Sequence, residues 1–160
     1  MTITLQRRML IMKSWKQLTK DPELGLKVFI NIFTLAPGAV KLFSFRNVKN
    51  LFKSYQLKTH GDKIIQIFGQ VVSNLDNLEY VKPTLALFGE QHIGWHVKED
   101  HFGVMAQAVV MALADDLGDD FTPECQEAWV AIYNIITEIM LTHFEREDLS
   151  KNIIVEKEGQ

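Results

Sequence analysis

Apolar residues recur every three or four positions over long stretches of this chain, and that period most narrows what it can fold into. Leu5, Met9, Met12 and Trp15 show the spacing near the start, and Ile64, Ile67, Phe68, Val71 and Val72 show it mid-chain. No run alternates apolar and polar residues as a half-buried strand would, and no Asn-Gly or Asp-Gly pair marks a hairpin. All four prolines stand where helices can begin. Asp21-Pro22-Glu23 and Thr122-Pro123-Glu124 each place a capping side chain before a proline that the first helical turn tolerates. Ala36-Pro37-Gly38 and Lys82-Pro83-Thr84 are similar breaks. The expected class is all-α.

The pattern divides into helices at about 4–19, 22–35, 54–75, 78–92, 98–117 and 123–144, with a helical turn at 37–42 and a polar, basic connection at 44–53. Seven to eight helices can pack around one core, the last two as an antiparallel hairpin joined by residues 118–121. A length of 160 residues fits a single domain, here 1–147. Residues 148–160 read as a charged tail carrying Ile153, Ile154 and Val155. It is expected to be disordered or to pack on a partner such as a second copy of the chain.

Charge and cysteine content exclude several roles. Seventeen Lys and Arg against twenty Asp and Glu give a net charge of −3, so no strong basic field exists to hold nucleic acid. The single Cys125 forbids an internal disulfide or an all-thiolate zinc site. No run of about 18 apolar residues suggests a membrane span. No secretory signal is recognisable, and a cytoplasmic protein is the expectation.

Five histidines carry most of the chemical potential: His60, His92, His96, His101 and His143. His60 heads the apolar stripe formed by Ile64, Ile67, Phe68, Val71 and Val72. His92 ends its own row, four residues after Phe88 and seven after Leu85. Either imidazole alone can be a polar residue at the rim of a core or a helix-end group facing the macrodipole. Together, on separate helices beside bulky apolar residues and with Phe29 and Phe43 as further walls, they suit a flat apolar cofactor whose metal takes imidazole axially, which is haem. A rival is zinc held by His92 and His96, four apart, with His101 nearby. That stretch lacks the Glu of the zinc protease motif, and Gly94 weakens the helix it needs. No phosphate loop, nucleophile elbow or dinucleotide turn is present. Asp115-Asp116 and Asp119-Asp120 read as solvated turn residues, and Arg46, Lys49 and Lys53 as a solvated basic loop.

Several short pieces then fall in an order and spacing of high specificity. They are Ser14-Trp15, Leu35-Ala36-Pro37 followed by Leu42-Phe43, Leu87-Phe88-Gly89-Glu90-Gln91-His92, and Phe121-Thr122-Pro123 followed by Ala128-Trp129 and Tyr133. Over about residues 13–140 the chain resembles the globin family, and within it the neuroglobin-like branch. The resemblance implies a globin fold around haem b (iron protoporphyrin IX). His92 corresponds to the proximal iron ligand and His60 to the distal histidine. Phe43 corresponds to the haem-packing phenylalanine, and Phe29 and Ile64 to distal-pocket positions. Phe88, Val97, Phe102 and Met105 fall at positions lining the proximal and inner faces. Lys63 and His96 fall where groups stand near haem propionates. Gly25 and Gly61 match small residues that let two helices cross closely, and His101 is expected at the ordinary surface. The connection before His60 is shorter than in vertebrate neuroglobin and lacks its cysteines, so Cys125 is left only a role between chains.

The function so implied is reversible binding of dioxygen, carbon monoxide and nitric oxide, for oxygen storage, supply or sensing. His60 is expected to ligate the iron when no gas is bound. The alternative is a haem enzyme of the nitric oxide dioxygenase or nitrite reductase type, which would need a separate reductase because 160 residues leave no room for a flavin or nicotinamide domain. A haem-free helical interaction module is a third possibility, opposed by the presence of both His60 and His92.

Overall fold

A computed structural model describes residues 2–158, with the side chains of residue 143 and of residues 145–158 left outside the description. Among the described residues the chain is helical throughout: α1 (Leu5–Leu18), α2 (Leu24–Leu35), a 3₁₀ helix (Pro37–Leu42), α3 (Tyr55–Val72), α4 (Lys82–Gly94), α5 (Glu99–Leu117) and α6 (Pro123–Glu158). These seven helices are supplemented by single 3₁₀ turns at Leu51–Lys53, Leu78–Tyr80 and Gly118–Asp120.

Local chemistry sets the boundaries. Thr4 Oγ1 accepts from Arg7 N at 3.3 Å and Ser54 Oγ accepts from Leu57 N at 3.2 Å, satisfying donors that open α1 and α3. The expected helix start at Pro22 moves to Leu24. Asp21 Oδ1 takes the amide of Glu23 at 2.9 Å and holds residues 22–23 in a turn instead. At the other end α6 does not stop near Phe144 but runs on to Glu158, through the segment read as a tail.

Most buried apolar side chains form one cluster shared by all six α-helices. Trp129 Nε1 donates to Ser14 Oγ at 2.9 Å, and that hydroxyl donates to Leu10 O at 2.8 Å, so both buried polar groups are satisfied where α1 meets α6. A second, smaller cluster of Phe29, Phe33 and Leu57 gathers Val40, Phe43, Phe45 and Leu51 around it, and Ile64 touches both clusters.

Two crossings depend on the absence of a side chain. A Cβ on Gly61 would lie 2.6 Å from the carbonyl carbon of Gly25, so α2 and α3 meet backbone to backbone, as the resemblance implied. A Cβ on Gly89 would lie 2.8 Å from Met140 Cα, which makes the same device of the α4–α6 crossing.

One sequence expectation is corrected at the end of α5. Asp116 is not solvated: its side chain is 8% exposed and accepts a hydrogen bond from Lys27 Nζ. The same ammonium stands 2.8 Å from Asp21 Oδ2 and 3.5 Å from the exposed Asp115. Asp116, then Asp21, holds the Lys27 ammonium above the usual lysine range. The cluster ties the α1–α2 corner and α2 to the end of α5. Cys125 is also corrected. It is 2% exposed and burial raises its thiol pKa, so it offers no surface sulfur for a bond between chains.

Candidate functional site

The site lies between α3 and α4, and each of these helices is fixed by one of the glycine crossings. His92 follows Gly89 by three residues near the end of α4. Its Nδ1 lies 2.6 Å from the carbonyl oxygen of Phe88. A carbonyl only accepts, so Nδ1 carries the proton and Nε2 is left with its lone pair. Burial lowers the His92 pKa, with the Phe88 carbonyl opposing part of that effect.

His60 sits beside Gly61, where α3 touches α2. Its ring is packed by aromatics, with centroids at 5.0 Å to Phe29, 5.4 Å to Phe43 and 6.4 Å to Phe45. Burial, then the charges of His92 and Lys63, pushes its pKa down to about 4. Both imidazoles are therefore neutral at neutral pH, the form in which histidine donates a lone pair to a metal.

Of the other expected site residues, Phe29 and Phe102 are buried, and Phe43, Ile64, Phe88, Val97 and Met105 are half-buried. Phe102 brings its ring to 6.2 Å from His92, and its carbonyl accepts from Tyr133 Oη at 2.8 Å, which ties the start of α5 to α6. Lys63 and His96 are exposed. His101 is half-buried rather than plain surface, and its Nδ1 accepts from Lys98 N at 3.0 Å at the opening of α5.

Two neighbours escaped the sequence reading. Trp95 is 47% exposed, yet its indole lies 5.0 Å from His92 and 6.1 Å from His60, so it touches both imidazoles from the rim. A tryptophan three residues after His92 was the available signal. Phe45, in the loop after Phe43, completes the aromatic wall around His60, and its place depends on loop geometry that no periodicity reveals.

The zinc alternative fails on geometry. α4 ends at Gly94 and His96 lies beyond it with φ at 62°, so His92 and His96 are not one turn apart on a helix. Among the described residues no group of three or more His, Cys, Asp or Glu side chains could hold a metal ion. The donor set is instead two neutral imidazoles from facing helices, enclosed by aromatic and aliphatic side chains. That set fits the iron of a planar apolar macrocycle.

The globin family profile matches residues 26–140. Neuroglobin-1 of Oncorhynchus mykiss is 28% identical over 144 residues, covering 86% of this chain and 90% of that protein. A hexacoordinated heme protein from an anhydrobiotic tardigrade superposes with a TM-score of 0.81 at 22% identity, covering 89% of this chain and 96% of its own. The hexa-coordinate hemoglobin of Drosophila melanogaster superposes with a TM-score of 0.80 at 18% identity, covering 87% and 94%. The all-helical fold agrees with these matches, the family profile spans most of the chain, and the chain belongs to the globin family.

Proposed function

We propose that this protein holds haem b between His92 and His60, binds dioxygen and other diatomic gases reversibly, and rests with both imidazoles as iron ligands when no gas is present. The observation that carries this is the locked His92 tautomer. The bond from Nδ1 to the Phe88 carbonyl leaves Nε2 free as a lone-pair donor and strengthens it as a base. His60, kept neutral by burial, has one ring nitrogen to donate a hydrogen bond and one to donate a lone pair. It can therefore serve a bound gas in one state and the metal in the other. Bound haem supplies the ferrous iron that takes the gas. Phe29, Phe43 and Ile64 keep water from that side, which favours reversible binding over oxidation.

The tardigrade and fly proteins are described as hexacoordinate, and the fly protein as binding cyanide. Their likeness supports the same resting state here. When His60 ligates the metal, the apparent gas affinity falls in proportion to the fraction of molecules in which it has let go. Phe88, Val97, Phe102 and Met105 would line the remaining faces, with Lys63 and His96 toward the propionates. A cytoplasmic setting goes with this role. The test is the absorption spectrum of the dithionite-reduced protein. Sharp, split visible bands are expected; a single broad band would refute bis-histidyl ligation, and a colourless protein that takes up no added haem would refute the function.

A further inference from the structure

The outward face of α1 carries Leu5, Met9 and Met12 at steps of four and three, which stacks them in one stripe along the helix. They are 65%, 63% and 58% exposed. The opposite face, with Ile11, Ser14 and Leu18, is the one packed into the core, so among the described residues the stripe has no intramolecular partner. Isolated exposed apolar residues are ordinary, but a continuous line of them along one helix is not.

Cations frame the stripe. Lys16 continues it one turn beyond Met12, Lys13 stands one turn beyond Met9, and Arg8 one turn before Met12. Residues 2–20 hold Arg7, Arg8, Lys13, Lys16 and Lys20, and every Asp and Glu of the chain lies beyond Lys20. In a protein of net charge −3 the first helix thus carries cations and no acidic residue. Among the described residues none of these cations pairs with a carboxylate.

We propose that α1 is a membrane-surface helix, laying Leu5, Met9 and Met12 into the interface of a bilayer with anionic headgroups while the exposed Lys13 and Lys16 meet those headgroups. Long basic side chains flanking an apolar stripe keep their stems on hydrocarbon and their charges at the polar layer. The contact is peripheral: among the described residues no helix is long and apolar enough to cross a membrane. A second copy fits worse, since pairing α1 with α1 brings like charges together. A protein partner fits worse as well, because the stripe offers flexible Leu and Met side chains and none of the aromatic anchors that dominate protein interfaces. The inference is independent of the haem site.

The test is co-sedimentation of the full chain with vesicles of phosphatidylcholine alone and of phosphatidylcholine with about one third phosphatidylserine. Binding to the anionic vesicles only is expected, weakening with added salt. The exposed pair Lys13→Glu and Lys16→Glu should lower partitioning by at least about 25-fold, at about fivefold for each cation lost. Met9→Gln with Met12→Gln should lower it too while leaving the helical circular dichroism unchanged. No binding to anionic vesicles, or equal binding to neutral ones, would overturn the proposal. A concentration-dependent dimer that Met9→Gln abolishes, without vesicle binding, would overturn it in favour of a second copy.

Discussion

Replacing His92 by Ala removes the only lone pair aimed into the site from α4, so the purified protein should lose nearly all of its Soret absorbance relative to its absorbance at 280 nm. His60→Leu should keep the pigment but turn the split visible bands of the reduced form into one broad band, read in the same spectrum. Burial depresses the His60 pKa from 6.5 to about 4, and that has a consequence for the cofactor-free protein. Between those values the unfolded chain binds a proton that the folded chain refuses, so stability falls as pH drops. The loss from pH 7 to pH 5 should be on the order of 2 kcal/mol from this residue. Urea midpoints should show it, and His60→Leu should flatten the dependence; an unchanged slope would refute the buried, neutral imidazole. Each histidine stands at one end of an apolar row at helical spacing, which is what drew attention to the pair in the sequence, while their roles rested on the family resemblance. Trp95 was not legible there, since its position follows from the chain leaving the helix at Gly94 and passing through a left-handed His96.

The helices meet through missing side chains as much as through present ones. Gly25→Ala would place a methyl against the backbone of Gly61, with no flexible side chain able to yield. Forced separation of α2 and α3 should cost about 1–3 kcal/mol in urea unfolding. It should also disturb His60, the neighbour of the contact point. Helix number and order could be read from periodicity and prolines, but the ends were shifted by capping chemistry. Asp21 captures the Glu23 amide and delays α2, and Lys27 draws Asp116 inward from what looked like a solvated turn. Each effect depends on which residues come together in space, which spacing along the chain does not encode.

At the scale of the molecule, the two apolar clusters are unequal. The larger is shared by all six α-helices, whereas the smaller rests on Phe29, Phe33 and Leu57, and much of its cover comes from the segment between α2 and α3. Local opening follows the density of buried contacts. Amides of residues 43–53 should therefore exchange with deuterium far faster than those of α5, and haem binding should slow them because Phe43 and Phe45 pack on His60. Exchange equal to that of α5 in the cofactor-free protein would refute this division. An all-helical body with one site was visible in the sequence; the division of the core was not, since both clusters draw on the same helices.

The seat of Gly89 on the main chain of Met140 makes the final helix a gauge for the height and rotation of the His92 imidazole. Inserting one residue between Pro123 and Met140 would rotate the remainder of that helix by about 100° and offer α4 a different surface to rest on. The length of chain between Pro123 and Met140 is thus fixed by where that seat must fall.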